Sequence, residues 1–149
     1  MGYRLSGPVR RVVLDTSVVA TAFRSRNGAS HLLLEYVADR VLVPLVTPAL
    51  FLQYDDVLKR PEQLRASGLT LGDVDRRLAA LASLAEPVTV HYLWRPLLPD
   101  SGDELVFEAA INGRADALVT YDMRHFATVA TRFGLRVARP IEVLKEMRQ

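Results

Sequence analysis

Short apolar runs, each ending at a polar residue and each followed by a segment with helical spacing, limit how this chain can fold. Arg10 to Leu14 (RRVVL) ends at Asp15, Val41 to Val46 ends at Thr47, and Ala117 to Thr120 ends just ahead of Asp122. Such β-branched, apolar runs suit strands buried on both faces. Between them, apolar residues recur at helical intervals: Leu32, Leu33, Tyr36 and Val37; then Leu50, Phe51, Tyr54, Val57 and Leu58; then Val74, Leu78, Leu81 and Leu84; then Val106, Phe107, Ala110 and Ile111. Strands that alternate with helices pair in parallel through crossovers, so the expected class is α/β, with a mainly parallel sheet covered on both faces.

Turn and capping residues set the expected boundaries. Thr16-Ser17 offers N-cap chemistry after the first strand, and a second helix is expected over 29–39. Pro44 argues for a bulge or a strand end, while Thr47-Pro48 reads as N-cap and N1 of a helix that stops near Pro61. Thr70 to Leu84 reads as an amphipathic helix ended by Glu86-Pro87, and Val88 to Tyr92 as a strand. Leu93 to Gly102 reads as a loop, after which Asp103 opens a helix that Gly113 closes. Phe126 to Phe133 is a predicted helix, Leu135 to Ala138 a last strand, and Pro140 starts a helix through Met147. No internal repeat or linker interrupts this order, and one domain over 1–149 is expected.

Composition narrows the chemistry. The chain has 149 residues, 50% of them hydrophobic and 24% charged, enough to bury a core. It has no cysteine, which excludes disulfides, thiolate zinc sites and cysteine nucleophiles, and a cytoplasmic setting is expected. The N-terminal MGYRLSGPVR lacks an apolar signal core, and no apolar stretch approaches the ~20 residues that span a bilayer, so no membrane association is expected. Net charge is only +2, but of 19 basic residues Lys59 and Lys145 are the sole lysines, leaving arginines with their phosphate-matching fork. A GC-rich coding sequence explains the same bias.

Four acids lie where a strand meets a helix or loop, or at a helix start: Asp15, Asp103, Asp116 and Asp122. The carboxyl ends of parallel strands form the ligand crevice of an open α/β sheet, so acids distant in sequence can converge there. Asp116 precedes its strand, at the opposite end from Asp122, and reads as a turn residue. Neighbouring carboxylates resist ionising together unless a cation is present, and an oxygen-rich set suits Mg²⁺ or Mn²⁺. The structural alternatives are an N-cap role for Asp15 and a helix-dipole role for Asp103, which Glu104 can share. Thr120 can hold a carboxylate or a water, but Thr is also simply a good strand former, the reading favoured here. His31, His91 and His125 have no zinc-like spacing. A divalent cation in such a crevice suits phosphodiester hydrolysis. Phosphate loops of the GxxxxGK[ST] or GxGxxG kind and a GxSxG elbow are absent.

The segments VVLDTSVV, TPALFLQYDDVLKRP, DELVFEAAINGRADALVTYD and FGLRVARPIEVL together resemble the PIN-domain family, in the branch of type II toxin-antitoxin toxins (VapC-like ribonucleases), from about Val12 to Leu144. The resemblance implies a Rossmann-like three-layer α/β/α sandwich and a metal-dependent ribonuclease. It also implies a small antitoxin protein that blocks the site, and a homodimer. Asp15 matches the family's first acid, Asp103 the acid opening the later helix and Asp122 the acid after the VT strand, each a metal ligand by resemblance.

The family's second acid, a Glu, falls on Gln53, which keeps the shape and an acceptor oxygen but not the charge. Helical geometry puts Gln53 about 60° from the centre of the apolar stripe, facing a neighbouring element. Asp56 or Asp55 would have to compensate for the lost charge. His125 stands where relatives carry an acid, and Ser17, where relatives carry Asn, can orient Asp15.

The leading expectation is an endoribonuclease using Mg²⁺ or Mn²⁺, with Asp15, Asp103 and Asp122 as ligands, Gln53 as a weakened fourth position and a metal-activated water as nucleophile. Its substrate would be single-stranded or looped RNA held by arginines, with Arg24, Arg26 and Arg124 near the crevice. The alternative is a PIN scaffold weakened by Gln53 that acts by binding RNA or a protein partner. A phosphoacceptor response regulator is a third reading. It requires an adjacent acidic pair after the first strand and a Lys after the last, and both are missing.

Overall fold

The computed structural model describes residues 9–91 and 98–148. Its elements run β1 (Arg11–Leu14), α1 (Thr16–Arg24), α2 (Ala29–Ala38), β2 (Val43–Val46), α3 (Pro48–Leu58), α4 (Pro61–Ser67), α5 (Leu71–Leu84), β3 (Glu86–Pro87), α6 (Ser101–Gly113), β4 (Ala117–Val119), α7 (Met123–Phe133), β5 (Val137–Ala138) and α8 (Pro140–Met147). The strands form one five-stranded sheet in the order β3-β2-β1-β4-β5, with every pairing parallel. This is the expected Rossmann-like α/β arrangement.

The strand order follows from the crossovers. From β1 the chain steps outward to β2 and β3, then returns through α6 to place β4 on the other side of β1. Right-handed crossovers put α6 and α7 on one face and the earlier helices on the other. The packing agrees: α6 lies on β1, β2 and β4 and touches α7, while α2 packs on α1 and α8. Val12, Val13, Leu14, Leu45, Leu118 and Val119 are almost fully buried between these layers. Asp15 and Thr120 therefore leave adjacent strands at the point where the strand order reverses, where such sheets open a crevice.

Pro44 is the second residue of β2 and pairs with Val12 of β1. Its missing N–H costs no ladder bond, because Val43 donates to Arg10 on the β1 side and pairing with β3 begins only at Leu45. Thr47 caps α3, its hydroxyl accepting from the Leu50 N–H at 3.0 Å, and Thr70 caps α5 in a capping box with Asp73.

Several boundaries differ from the sequence reading. The third strand is Glu86–Pro87 rather than Val88 to Tyr92, and only the Val88 N–H, donating to Val46, continues the ladder. Tyr92 and residues 93–97 of the expected loop lie outside the described residues, as does the N-terminal segment 1–8. Helix α6 begins at Ser101, two residues early, because Asp100 caps it by accepting from the Gly102 and Asp103 N–H groups. Helix α7 begins at Met123, so His125 lies in its first turn, and Pro61 starts an additional helix, α4. Among the described residues no helix is long and apolar enough to cross a membrane.

Candidate active site

Asp15 stands at the N-cap position of α1, yet its side chain caps nothing. Its Oδ2 instead accepts from the Thr120 hydroxyl at 2.7 Å and from the Ser17 hydroxyl at 3.1 Å, and the residue is only 8% exposed. The N-cap alternative is thereby excluded. Thr120 has no solvent exposure, and its Oγ1 also accepts from the Asp122 N–H at 3.0 Å. One hydroxyl thus fixes the Asp15 carboxylate and the chain leading to Asp122, so the favoured reading of Thr120 as a plain strand residue is corrected.

Asp122 repeats the pattern at the start of α7, occupying the N-cap position without a side-chain capping bond. Its Oδ2 lies 2.9 Å from His125 Nε2, while His125 Nδ1 lies 3.1 Å from Asp103 Oδ2. The imidazole therefore bridges two of the expected ligands. The Asp103 carboxyl is pushed up to about 6, first by burial and then by the charges of Asp100 and Asp15, with Asp122 adding to the rise and His125 opposing it. The α6 dipole favours an ionised Asp103, but loss of water and neighbouring negative charge outweigh it.

Gln53 reaches the same region from α3. Its Nε2 donates to Thr16 Oγ1 at 2.6 Å, and its amide lies against Gly102 at the start of α6. A Cβ on Gly102 would come within 2.9 Å of Asp100 Oδ1 and 3.1 Å of Gln53 Nε2, so a side chain here would push both polar ends from their places. The expectation that Gln53 faces a neighbouring element holds. Tyr54, next along α3, is fully buried and donates to the Leu14 carbonyl at 2.5 Å, bracing the strand just before Asp15. Burial foremost, and then Asp15, drive its phenol pKa well upward, so it stays a donor.

Asp116 Oδ2 accepts from the Arg10 and Arg11 N–H groups at 3.0 and 2.8 Å, at the opposite end of the sheet, the turn role its position suggested. Asp55 and Asp56 pair with Lys59 and Arg60, each at 2.8 Å, and Asp56 lines the same surface hollow as Gln53, Asp100 and Gly102. Glu104 is buried, and its Oε1 accepts from the Leu98 N–H at 2.5 Å, so it braces the approach to α6 rather than joining Asp103. Arg24 is engaged by Gln63 at 2.7 Å and Thr21 at 3.1 Å, whereas Arg26 and Arg124 are exposed.

A family model described as PIN domain matches residues 11–124, a span that carries Asp15, Gln53, Asp103 and Asp122. This chain belongs to the PIN-domain family. Its members are in general nucleases and typically use divalent metal ions. A comparison with curated proteins gives no match.

The donor chemistry of this PIN domain fits a hard cation. The groups are carboxylates, and their mutual repulsion at Asp103 is the kind that a divalent ion relieves. Among the described residues, no three acid or imidazole side chains are already closed around one point as a metal shell. The His125 ring, cationic when protonated, lies between Asp103 and Asp122 instead.

Proposed function

We propose that this PIN domain is a Mg²⁺- or Mn²⁺-dependent endoribonuclease and serves as the toxin of a toxin-antitoxin pair. The observation that carries the reading is a chain of contacts at the strand-order reversal: the Thr120 hydroxyl bonds the Asp15 carboxylate and the Asp122 N–H, and His125 lies between Asp122 and Asp103. Asp15, Asp103 and Asp122 would hold the cation, which when bound polarises a phosphoryl oxygen and supplies hydroxide near neutral pH.

The chain's own groups prepare that site. Ser17 and Thr120 both donate to Asp15 Oδ2 and so fix the orientation of its carboxylate. The Thr120 hydroxyl sets the backbone turn that presents Asp122. His125 lies between Asp103 and Asp122, in the space that a cation shared by those two carboxylates would take. Exposed Arg26 and Arg124 supply charge for the RNA backbone.

Cleavage of short labelled RNAs with Mn²⁺ tests the reading. Cleavage by the native chain that is lost with EDTA and with Asp15→Asn supports it, whereas equal cleavage in all three samples marks a contaminant and removes it. The toxin role predicts growth arrest on expression, relieved by co-expression of a small protein encoded next to it, and a homodimer in solution.

Gln53 favours one further reading, a scaffold with weakened catalysis that works by binding RNA or a protein partner. Its amide binds Thr16 where a second carboxylate would add charge to the site. RNA retention without cleavage, converted to cleavage by Gln53→Glu, selects that reading.

A further inference from the structure

Tyr121 stands between Thr120, which holds Asp15, and Asp122. It is 43% exposed, although Ala117, Leu118, Val119 and Thr120 before it have no exposure at all. Its hydroxyl is hydrogen-bonded to that of Ser30, in the first turn of α2, and Ser30 is itself fully buried. This inverts the usual placing of tyrosine, in which the ring is buried and the hydroxyl meets water. Here the polar end is bonded to a buried partner while the residue as a whole stays exposed, one position before Asp122.

We propose that Tyr121 is a platform on which an unpaired base of the substrate stacks beside the phosphodiester at the acid cluster. The inference rests on the nuclease reading and adds the group that selects unpaired nucleic acid. A π face accepts any base, so the contact gives affinity without sequence preference. Bases inside a duplex already stack on one another and present no free face, so Tyr121 discriminates for single strands and loops. The Ser30 tether fixes the ring before substrate arrives, and stacking then costs little side-chain freedom.

The test is binding of a short labelled single-stranded RNA in EDTA, which separates affinity from cleavage. Tyr121→Ala should weaken single-strand binding about 5- to 100-fold while duplex binding stays unchanged. Tyr121→Leu fills the same space without a π face and should behave as Tyr121→Ala does, whereas Tyr121→Phe and Ser30→Ala keep the ring and should lose far less.

An abasic spacer walked along the RNA should weaken binding to the native protein at one position, and that penalty should vanish in Tyr121→Leu. Equal affinity of native and Tyr121→Leu proteins, an abasic penalty that persists without the ring, or no single-strand binding by the native chain would each overturn the proposal. In Mn²⁺ the platform predicts a raised KM with an unchanged kcat for Tyr121→Leu. Cleavage lost with Asp15→Asn but indifferent to Tyr121 removes the platform and leaves the nuclease. Base-dependent binding through Tyr121 without any cleavage does the reverse.

Discussion

The Gln53 side-chain amide donates to Thr16 Oγ1 across 2.6 Å, joining α3 to the residue that follows Asp15. A neutral amide here avoids adding another negative charge beside Asp15, Asp100 and Asp103, whose charges already resist one another. Gln53→Glu should therefore lower the melting temperature without metal, by about 1 kcal/mol of stability, since a carboxylate placed next to others is disfavoured. With Mn²⁺ the order should reverse: a larger thermal shift than the native chain and faster RNA cleavage. A variant whose melting point ignores Mn²⁺ would contradict this account of the position.

Thr120 offers a sharper probe, because Val is nearly its isostere. Thr120→Val removes the donor to Asp15 and the acceptor for the Asp122 N–H, both in the buried neighbourhood of the crevice. Leaving such partners unsatisfied costs about 1–3 kcal/mol, read by denaturant unfolding. Cleavage should fall further than stability does, because Asp15 loses its fixed orientation. Thr120→Ser, which restores the hydroxyl, should recover both. Native-like cleavage by Thr120→Val would show that the hydroxyl does not position the acid.

The positions of Asp15 and Asp122 were legible because strand ends are, and the parallel sheet turns strand ends into one rim. The service of Thr120 was not, since a buried strand threonine looks the same whether its hydroxyl bonds a carboxylate or its own backbone. Glu86-Pro87 read as a stop, yet it forms β3, where Pro87 lies at the edge of the sheet and Arg11 grips Glu86. Pro61 also read as a stop, although Pro at N1 starts helices as readily as it ends them. What makes α4 stay is Gln63, buried and bonded to the Ala20 carbonyl at 2.9 Å and to Arg24 at 2.7 Å, a long-range pairing that local pattern does not carry.

Arg11 tests the opposite end of the sheet. Its guanidinium donates to Glu86 and to the carbonyls of Gly113 and Arg114, tying β1 and β3 to the last turn of α6. Hydrogen bonding to Arg11 holds the Glu86 carboxyl below its ordinary range. The group is partly exposed, so solvent screening keeps Arg11→Met to about 1–2 kcal/mol of lost stability. Metal-dependent cleavage per folded molecule should not change. A selective loss of cleavage at native stability would mean that this end of the sheet reaches the active site.

The Asp103 carboxyl, pushed up to about 6 chiefly by burial and then by Asp100 and Asp15, lies above its unfolded value of about 3.9. Between those limits the folded chain holds more protons at this position than the unfolded chain does. The contribution of Asp103 to stability is therefore fully present below about pH 4 and is lost as pH rises through about 6. Asp103→Asn should abolish this fall and stabilise the metal-free protein near pH 7. A bound divalent cation displaces the proton, so affinity for Mn²⁺ should weaken by up to about tenfold for each pH unit below 6 and level off above it. Calorimetry in buffers of different ionisation heat measures the proton released at pH 5.5 and at pH 7.5. More proton release at the lower pH is the expected result, and an equal release at both would place the raised carboxyl outside the metal site.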